Sequence, residues 1–75
     1  MYLLEPIQTE FFDQAHEGIV EMTISSQQSG RAKVLGVSWM AQLYPSEQHT
    51  ILPPGQPIKA VGRRGNTLLV HPAVH

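Results

Sequence analysis

The amino-acid sequence predicts an all-β fold, in the form of a small closed barrel of five short strands. Apolar and polar residues alternate in several segments, which is the period-2 pattern of half-buried strands. Turns that contain glycine join four of these segments into two hairpins. The remaining break, residues 45–57, holds four prolines, and proline lacks the amide hydrogen that a strand interior needs. Together these observations predict a first strand, two hairpins and a longer loop between the hairpins.

The length and composition allow one domain with a modest core. The chain has 75 residues, and a domain of this size buries only about 60% of the surface that its unfolded chain exposes. Its apolar content is 41% and it has no cysteine, which excludes disulfides and thiolate metal ligands. No apolar run approaches the roughly 18 residues that a membrane-spanning helix needs, and the N terminus lacks the basic region of a secretory signal. We therefore expect a soluble, cytoplasmic domain.

Residues 1–17 are predicted to form an N-terminal acidic arm ahead of a barrel domain over residues 18–73. Two conformations of this arm remain open. Its apolar residues recur at roughly helical spacing, so residues 7–16 are compatible with a short amphipathic helix, but the same segment also fits an extended arm. Gly18 fits either a helix stop or the entry to a strand. The apolar residues concerned are Leu3, Leu4, Ile7, Phe11 and Phe12.

The first predicted strand is Ile19–Ile24. Val20, Met22 and Ile24 alternate there with polar residues, so we expect the three side chains to share the core face. The polar segment 25–30 then interrupts the pattern as a break or bulge.

The first predicted hairpin consists of Arg31–Leu35 and Val37–Tyr44, which turn around Gly36. In the second of these strands the more apolar face includes Trp39, whereas Tyr44 lies at the strand end on the other face. We therefore expect Trp39 to be in the core or half-buried. The residues of the apolar face are Val37, Trp39, Ala41 and Leu43.

The second predicted hairpin consists of Pro57–Gly62 and Thr67–His71, with its tip at Arg63–Asn66. We expect Ile51 and Leu52 to attach the proline-rich loop to the core. Five strands in this arrangement predict a small Greek-key barrel, whose closure removes exposed edges. An OB-fold barrel is the leading form. An SH3-like barrel has strands of the same number and length, and it remains the alternative.

The residues that carry chemistry are too few and too scattered to predict an enzyme. A Ser–His–Asp triad needs a carboxylate that orients the base, but Asp13 is the single aspartate and there is no GxSxG motif. Gly62 and Gly65 precede a strand rather than a helix, so we interpret them, with Asn66, as turn residues of positive φ and not as a phosphate site. We predict no metal site and no cofactor, because the histidines lack ligand spacing: His16, His49, His71 and His75.

The charges are unevenly distributed along the chain. Five of the six acidic residues lie within the first 21 positions, whereas all five basic residues come later. One interpretation is two surfaces that attract each other weakly, and the other is a mildly basic module that meets an anionic partner. The candidate binding residues are the five bases and two aromatic side chains: Arg31, Lys33, Lys59, Arg63, Arg64, Trp39 and Tyr44.

A protein and a single-stranded nucleic acid are the two partner classes that such a barrel predicts. OB barrels bind single strands through exposed aromatic side chains and a basic groove. The sequence pI is about 6.4, far below the value above about 9 that is typical of nucleic-acid-binding domains. The alternation also places Trp39 on the more apolar face of its strand. Both observations favour a protein partner.

Several short motifs occur in a fixed order over residues 18–73. The first hairpin carries Gly30–Arg31, Gly36, Trp39 and Ala41, and the second region carries Pro54–Gly55, Val61–Gly62, Gly65, Thr67–Val70 and Pro72. As an ordered set they resemble the C-terminal soluble domain of NfeD-like proteins. The resemblance implies a five-stranded OB barrel, a protein partner of the stomatin-like class and a peripheral position at a membrane-associated complex. The protease domain of long family members has no counterpart here, and Gln28 departs from the proline that is frequent at this turn.

Overall fold

The computed structural model describes residues 8–45 and 50–73 of the chain, and all of its regular elements are β-strands. The helical alternative for residues 7–16 is wrong within the described part of the chain, because the backbone is a strand from Thr9 onward. These residues also contain no helix that could cross a membrane. The seven strands are β1 (Thr9–Met22), β2 (Ile24–Ser25), β3 (Gly30–Val34), β4 (Val37–Leu43), β5 (Ile51–Leu52), β6 (Pro57–Arg64) and β7 (Thr67–Pro72).

Five of the strands close into a barrel in the order β1-β3-β4-β7-β6, and β2 pairs separately with β5. β4 and β7 run parallel, whereas all other neighbours in the barrel are antiparallel. An SH3-like barrel built only from consecutive antiparallel neighbours would contain no parallel pair. The parallel pair of β4 and β7 therefore shows that the SH3-like alternative is wrong. The observed order is that of a Greek-key OB fold, which confirms the predicted fold class.

The core consists of apolar side chains that strand alternation turns inward. In β3, Ala32 and Val34 are buried and Lys33 between them is exposed. In β6, Ile58 and Ala60 are fully buried in the same way. No polar or charged side chain is buried among the residues that the structure describes. The fold is therefore held by apolar burial, which contributes about 25 cal/mol per Å² removed from water.

The predicted core face of the first strand is wrong at one position. The register between β1 and β3 shifts between Val20 and Met22, where a β-bulge sets an extra residue of β1 against β3. The extra residue reverses the alternation, so Met22 is exposed and does not lie in the core. Ile24, which follows the end of β1, is buried as predicted.

The second hairpin is longer than predicted. Arg63 and Arg64 belong to β6, and the turn consists of Gly65 and Asn66. Of the three residues predicted to have a positive φ, Gly65 has one, of 61°. The predicted positive φ at Gly62 and Asn66 is wrong. Gly62 is needed for a different reason. A Cβ atom at this position would collide with the backbone oxygen of Glu10, so the missing side chain allows β1 to pass close to β6.

The proline-rich loop is attached to the barrel through β5, in which Leu52 pairs with Ile24 and Ile51 pairs with Ser25. Leu52 is buried and Ile51 is exposed, because neighbouring residues of a strand face opposite sides. The predicted anchoring is therefore correct for Leu52 and wrong for Ile51.

β1 continues through the predicted boundary between the arm and the barrel. Its first half pairs with β6, where Glu10 lies opposite Arg63 and Glu17 lies opposite Lys59. Acids and bases that are far apart in the sequence thus face each other, which supports the interpretation of two mutually attracting surfaces. The buried core begins only at Val20. We therefore propose that residues 18–73 form the folding unit and that the first half of β1 is an addition to it.

Removal of residues 1–15 is expected to leave a folded barrel whose free energy of unfolding is lower by about 1–3 kcal/mol. The lost interactions are the strand pairs of Thr9–Phe11 and the packing of Phe12 against the core. Urea unfolding measures the loss, and amide chemical-shift dispersion reports the fold. Gly62→Ala is the control: it destabilises the full chain, in which the new Cβ meets Glu10, and is tolerated once the deletion removes that contact. Collapse of the dispersion on deletion would contradict the proposal.

Candidate functional site

An apolar groove opens on the surface of the barrel, and we call it the Trp39 groove. It has a volume of about 450 Å³, which lies within the range of about 300–1,000 Å³ that ligand pockets occupy. Trp39 is half-buried and packs against the core, as the alternation of its strand predicts. The groove is lined by Glu10, Phe12 and His16 of β1, Val34 of β3, Leu35 between β3 and β4, Val37 and Trp39 of β4, Arg63 of β6 and Leu68 of β7.

The groove exists because two neighbouring strands of the barrel part from each other. The ladder between β1 and β3 ends at the pair Gly18–Val34, and the chain then turns from β3 into β4. β1 extends past this point, back to Thr9, and there it pairs only with β6 among the described residues. The gap between the extended part of β1 and the end of the hairpin leaves Trp39 accessible.

Leu35 is the most unusual residue of the groove. It forms the two-residue turn of the first hairpin with Gly36, and their φ angles are 54° and 78°. Two positive φ angles identify a type I′ turn, which favours asparagine, aspartate or glycine. For a residue with a Cβ atom the left-handed conformation costs about 1–2 kcal/mol. Because the Leu35 side chain is 77% exposed, burial within the domain does little to offset this cost.

Replacing Leu35 by asparagine is expected to stabilise the isolated domain by about 1 kcal/mol. Asparagine tolerates a positive φ, and little buried surface is lost because the leucine is exposed. Urea or thermal unfolding measures the gain. Gly36→Ala is the matched comparison, since it places a Cβ atom at a φ of 78° in open space and is expected to destabilise the domain. A loss of stability in Leu35→Asn would mean that Leu35 supports the fold itself.

Charged and aromatic contacts form the rim of the groove along β1. Nε of Arg63 lies 3.5 Å from Oε1 of Glu10, and their side chains are 50% and 66% exposed. Exposed pairs of this kind contribute at most about 1 kcal/mol, so the Glu10–Arg63 pair can rearrange at low cost. The rings of Phe12 and His16 meet edge to face, with 5.3 Å between their centroids. The groove thus combines an apolar middle with a polar, adaptable rim.

The predicted site residue Arg31 does not line the groove. Its Nε donates to the Ser38 hydroxyl oxygen at 3.1 Å, and its Nη2 donates to the Ser38 carbonyl oxygen at 3.4 Å. The Ser38 hydroxyl in turn donates to Oε1 of Glu21 at 2.6 Å. This network connects β3, β4 and β1 on the outer face of the barrel, so Arg31 has a structural role there.

Lys33 and Lys59 line a second concavity of about 480 Å³. Glu17 lines the same concavity and lies opposite Lys59 in the ladder between β1 and β6, so part of the positive charge is neutralised. Among the residues that the structure describes, no aromatic side chain and no strained non-glycine residue lines this concavity. The Trp39 groove is therefore the stronger candidate for a binding site.

The two remaining predicted residues make contacts with β1. Nε of Arg64 donates to the hydroxyl oxygen of Thr9 at 3.0 Å. Tyr44 follows the end of β4, and the centroid of its ring lies 5.5 Å from that of Phe11. Both contacts hold the first half of β1 in place.

Of the seven predicted site residues, the structure brings only Trp39 and Arg63 together in the groove. The five bases are distributed over several separate contacts, and nothing favours the nucleic-acid alternative. Sequence reasoning missed Leu35 and Phe12 as site residues. A signal for Leu35 was present, because a two-residue hairpin turn rarely begins with leucine.

No metal-binding cluster is assembled within residues 8–45 and 50–73. No three histidine, aspartate or glutamate side chains lie close enough there to hold a metal ion. His16 packs against Phe12, and His71 is half-buried in β7. The other two histidines, His49 and His75, lie outside the described residues.

Comparison with known proteins identifies the family. The family model of the NfeD-like C-terminal, partner-binding domain matches residues 15–72. The C-terminal domain of stomatin operon partner protein 1510-C from Pyrococcus horikoshii has a similar structure, with a TM-score of 0.67 and 23% sequence identity over 81% of this chain and 88% of that chain. No match was found among curated proteins. Because the family model covers most of the sequence, the resemblance is confirmed, and the chain belongs to the family of NfeD-like C-terminal, partner-binding domains.

Proposed function

We propose that the chain is a non-catalytic protein-interaction module that binds a stomatin-like protein through the Trp39 groove. The observation that carries this proposal is Leu35, a large apolar side chain that is exposed to water on a left-handed backbone. Neither the strain nor the exposure benefits the isolated domain. Strained residues and exposed apolar surface both concentrate at binding sites. A partner that covers Leu35 accounts for both properties.

The chemistry of the groove suits a protein partner. Trp39 presents part of its ring to solvent, and Leu35 and Val37 on the adjacent hairpin are exposed. Aromatic and aliphatic anchors that lie in a pocket contribute most of the affinity at protein interfaces. A partner side chain seated there would remove apolar surface from water on both molecules, at about 25 cal/mol per Å².

The partner class and the location are argued from the relatives. The structural relative is named as a stomatin operon partner protein, so a stomatin-like protein is the first partner to test. The proposed location is cytoplasmic, at the periphery of a membrane-associated complex. The mild overall charge of −1 supports attachment through a protein partner rather than through anionic lipid.

The full chain is expected to bind the stomatin-like protein of its own organism, and Leu35→Asn is expected to weaken binding about tenfold or more, equivalent to about 1.4 kcal/mol. The substitution removes the apolar contact but does not impair folding. Titration calorimetry with the purified proteins measures both affinities.

The matched control for this experiment is Ile51→Asn. Ile51 is also a strongly exposed aliphatic residue, at 65% against 77% for Leu35, but it lies in β5 and does not line the groove. Its replacement is expected to change the affinity less than about twofold. An equal loss in both variants would contradict the assignment of the groove, and absence of binding by the unsubstituted chain would contradict the proposed function.

A further inference from the structure

We infer that the Trp39 groove receives an extended segment of the partner, which adds as a strand to the free edge of β1 and places an apolar side chain against Trp39. The free edge is the side of Thr9–Glu17 that faces away from β6. This inference rests on the proposed function and specifies how the partner is recognised.

The free edge borders the groove. Thr9–Phe11 and His16–Glu17 pair with β6 on one side. The other side of Thr9–Glu17 has no strand partner among the described residues, because the ladder to β3 begins only at Gly18. Unpaired backbone N–H and C=O groups are a template for another extended chain. The side chains of Phe12 and His16 line the groove from this segment. A strand added here would therefore lie along the groove.

A bulge interrupts the pairing of β1 with β6 where β1 lines the groove. Between Phe11 and His16 the chain advances five positions, while the paired residues of β6 advance two, from Gly62 to Ala60. The surplus residues of β1 must curve out of the regular ladder, and bulges of this kind re-aim side chains. Phe12, the first residue of the bulge, packs against the core and lines the groove together with Trp39.

The groove accepts apolar side chains from such a strand. Alternate residues of an extended chain point to the same side and lie about 6–7 Å apart. A volume of about 450 Å³ has room for one or two of them. Leu35, Val37 and Trp39 on the opposite wall would then be covered by the added strand, which removes the exposed apolar surface of the free domain.

The charge along the free edge favours a basic partner segment. Glu10 and Glu17 each lie opposite a base of β6, but Asp13 is in the bulge and has no opposite residue in that register. Asp13 is exposed, so a negative charge without an opposite base remains on the segment that carries the free edge. A lysine or arginine next to the apolar anchor would be attracted to it. Asp13 also precedes the segment that matches the family, so this preference need not be shared by other members.

An anionic membrane surface fits these observations less well. The exposed hairpin end with Leu35 would suit insertion into lipid, but the carboxylates of β1 would face the phosphate groups. A concave site with an adjacent unpaired strand edge matches an extended peptide better than a flat bilayer.

The test uses a synthetic peptide of about nine residues, the length of the free edge, in which threonine alternates with valine around a central leucine and lysine ends the chain. Titration of the full-length protein is followed by the fluorescence of Trp39, which is the single tryptophan. We expect saturable binding and slower amide hydrogen exchange in Thr9–Glu17. Methylation of alternate peptide nitrogens, which removes donors to the strand edge, is expected to weaken binding at least tenfold.

Three protein variants complete the test. Leu35→Asn is expected to weaken peptide binding about tenfold, and Ile51→Asn is expected to leave it unchanged. Asp13→Asn is expected to reduce the preference for the lysine-ended peptide over one that ends in glutamate. Equal affinities of the methylated and unmodified peptides would overturn strand addition. Equal affinities of the unsubstituted protein for the lysine-ended and glutamate-ended peptides would overturn the role of Asp13.

Two further outcomes separate this inference from the proposed function. If the peptide fails but the stomatin-like protein still binds in a manner that depends on Leu35, strand addition is wrong and the proposed function stands. If the stomatin-like protein also fails to bind, the proposed function is wrong. A Trp39 response to phosphatidylglycerol vesicles, with none to the peptide, would assign the groove to lipid and overturn the inference.

Discussion

Replacing Ile24 by alanine is expected to lower the free energy of unfolding by about 2–5 kcal/mol. Ile24 is fully buried in β2, where it pairs with Leu52 and joins the proline-rich loop to the barrel. The substitution removes apolar contacts and leaves a cavity, and both effects destabilise the native state. A chain of this length has a total stability of about 4–11 kcal/mol, so the loss approaches half of it. Urea unfolding followed by circular dichroism measures the change.

Ile51→Ala is the control for Ile24→Ala. Ile51 belongs to the same two-stranded sheet, pairs with Ser25 and is 65% exposed. The same chemical change there is expected to cost less than about 1 kcal/mol, because little apolar surface returns to water. Similar losses at both positions would mean that the β2–β5 sheet is held by its backbone pairing rather than by burial of Ile24.

Replacing Gly30 by alanine is expected to destabilise the domain by about 2 kcal/mol or more. The new Cβ atom would collide with the backbone oxygens of Met22 and Thr23, where β1 ends above the start of β3. Overpacking against backbone that cannot rotate away costs about 1–3 kcal/mol, and occasionally more. The alanine also lowers the entropy of the unfolded chain, which stabilises the native state by only about 0.4–1 kcal/mol. The cost of the collision is larger, so the net effect is destabilising. Thermal and urea unfolding both report the net effect.

Ser29→Ala, at the exposed neighbouring position, is the control and is expected to change stability by less than about 0.5 kcal/mol. If Gly30→Ala unfolds at the same denaturant concentration as the unsubstituted chain, the end of β1 is free to move away from β3. The bend between β1 and β2 would then be softer than its close contacts suggest.

The strands of the barrel could be predicted because their burial alternates with period 2. In β3 and β6 each buried residue is followed by a more exposed one, and the pattern of Ala32, Val34, Ile58 and Ala60 is visible in the sequence. The parallel pair of β4 and β7, which distinguishes the OB fold, was not visible. The order of strands in a sheet depends on which strand edges meet in three dimensions. The alternation of apolar and polar residues within a strand is the same whichever strand lies next to it.

The errors at the start of the chain have one physical cause. The apolar residues before Gly18 fit helical spacing, yet this segment is a strand because β6 offers it a partner. Met22 was assigned to the core because a bulge depends on the register with β3 and leaves no mark in the alternation. Pairing with a distant strand overrode the local pattern in both places.

Only part of the candidate site could be predicted from the sequence. Trp39 stood out as a single large aromatic residue, and its half-buried position followed from its strand face. The alternation places Leu35 at the end of a predicted strand, whereas it is the first residue of the turn, where a polar residue or glycine is favoured. Phe12 could not be placed, since its position depends on the bulge between β1 and β6. The uneven charge distribution predicts surfaces that attract each other, but only the register shows that Glu10 lies opposite Arg63.

The unpaired side of Thr9–Glu17 also affects how the protein behaves when it is concentrated without a partner. Exposed strand edges promote aggregation, because one copy can extend the sheet of the next. If two copies met edge to edge in antiparallel fashion around Asp13, that carboxylate would lie against its own counterpart, and like charges directly opposite each other are unfavourable. The Asp13 carboxylate thus opposes self-assembly through this edge but leaves the edge open to a partner segment of opposite charge.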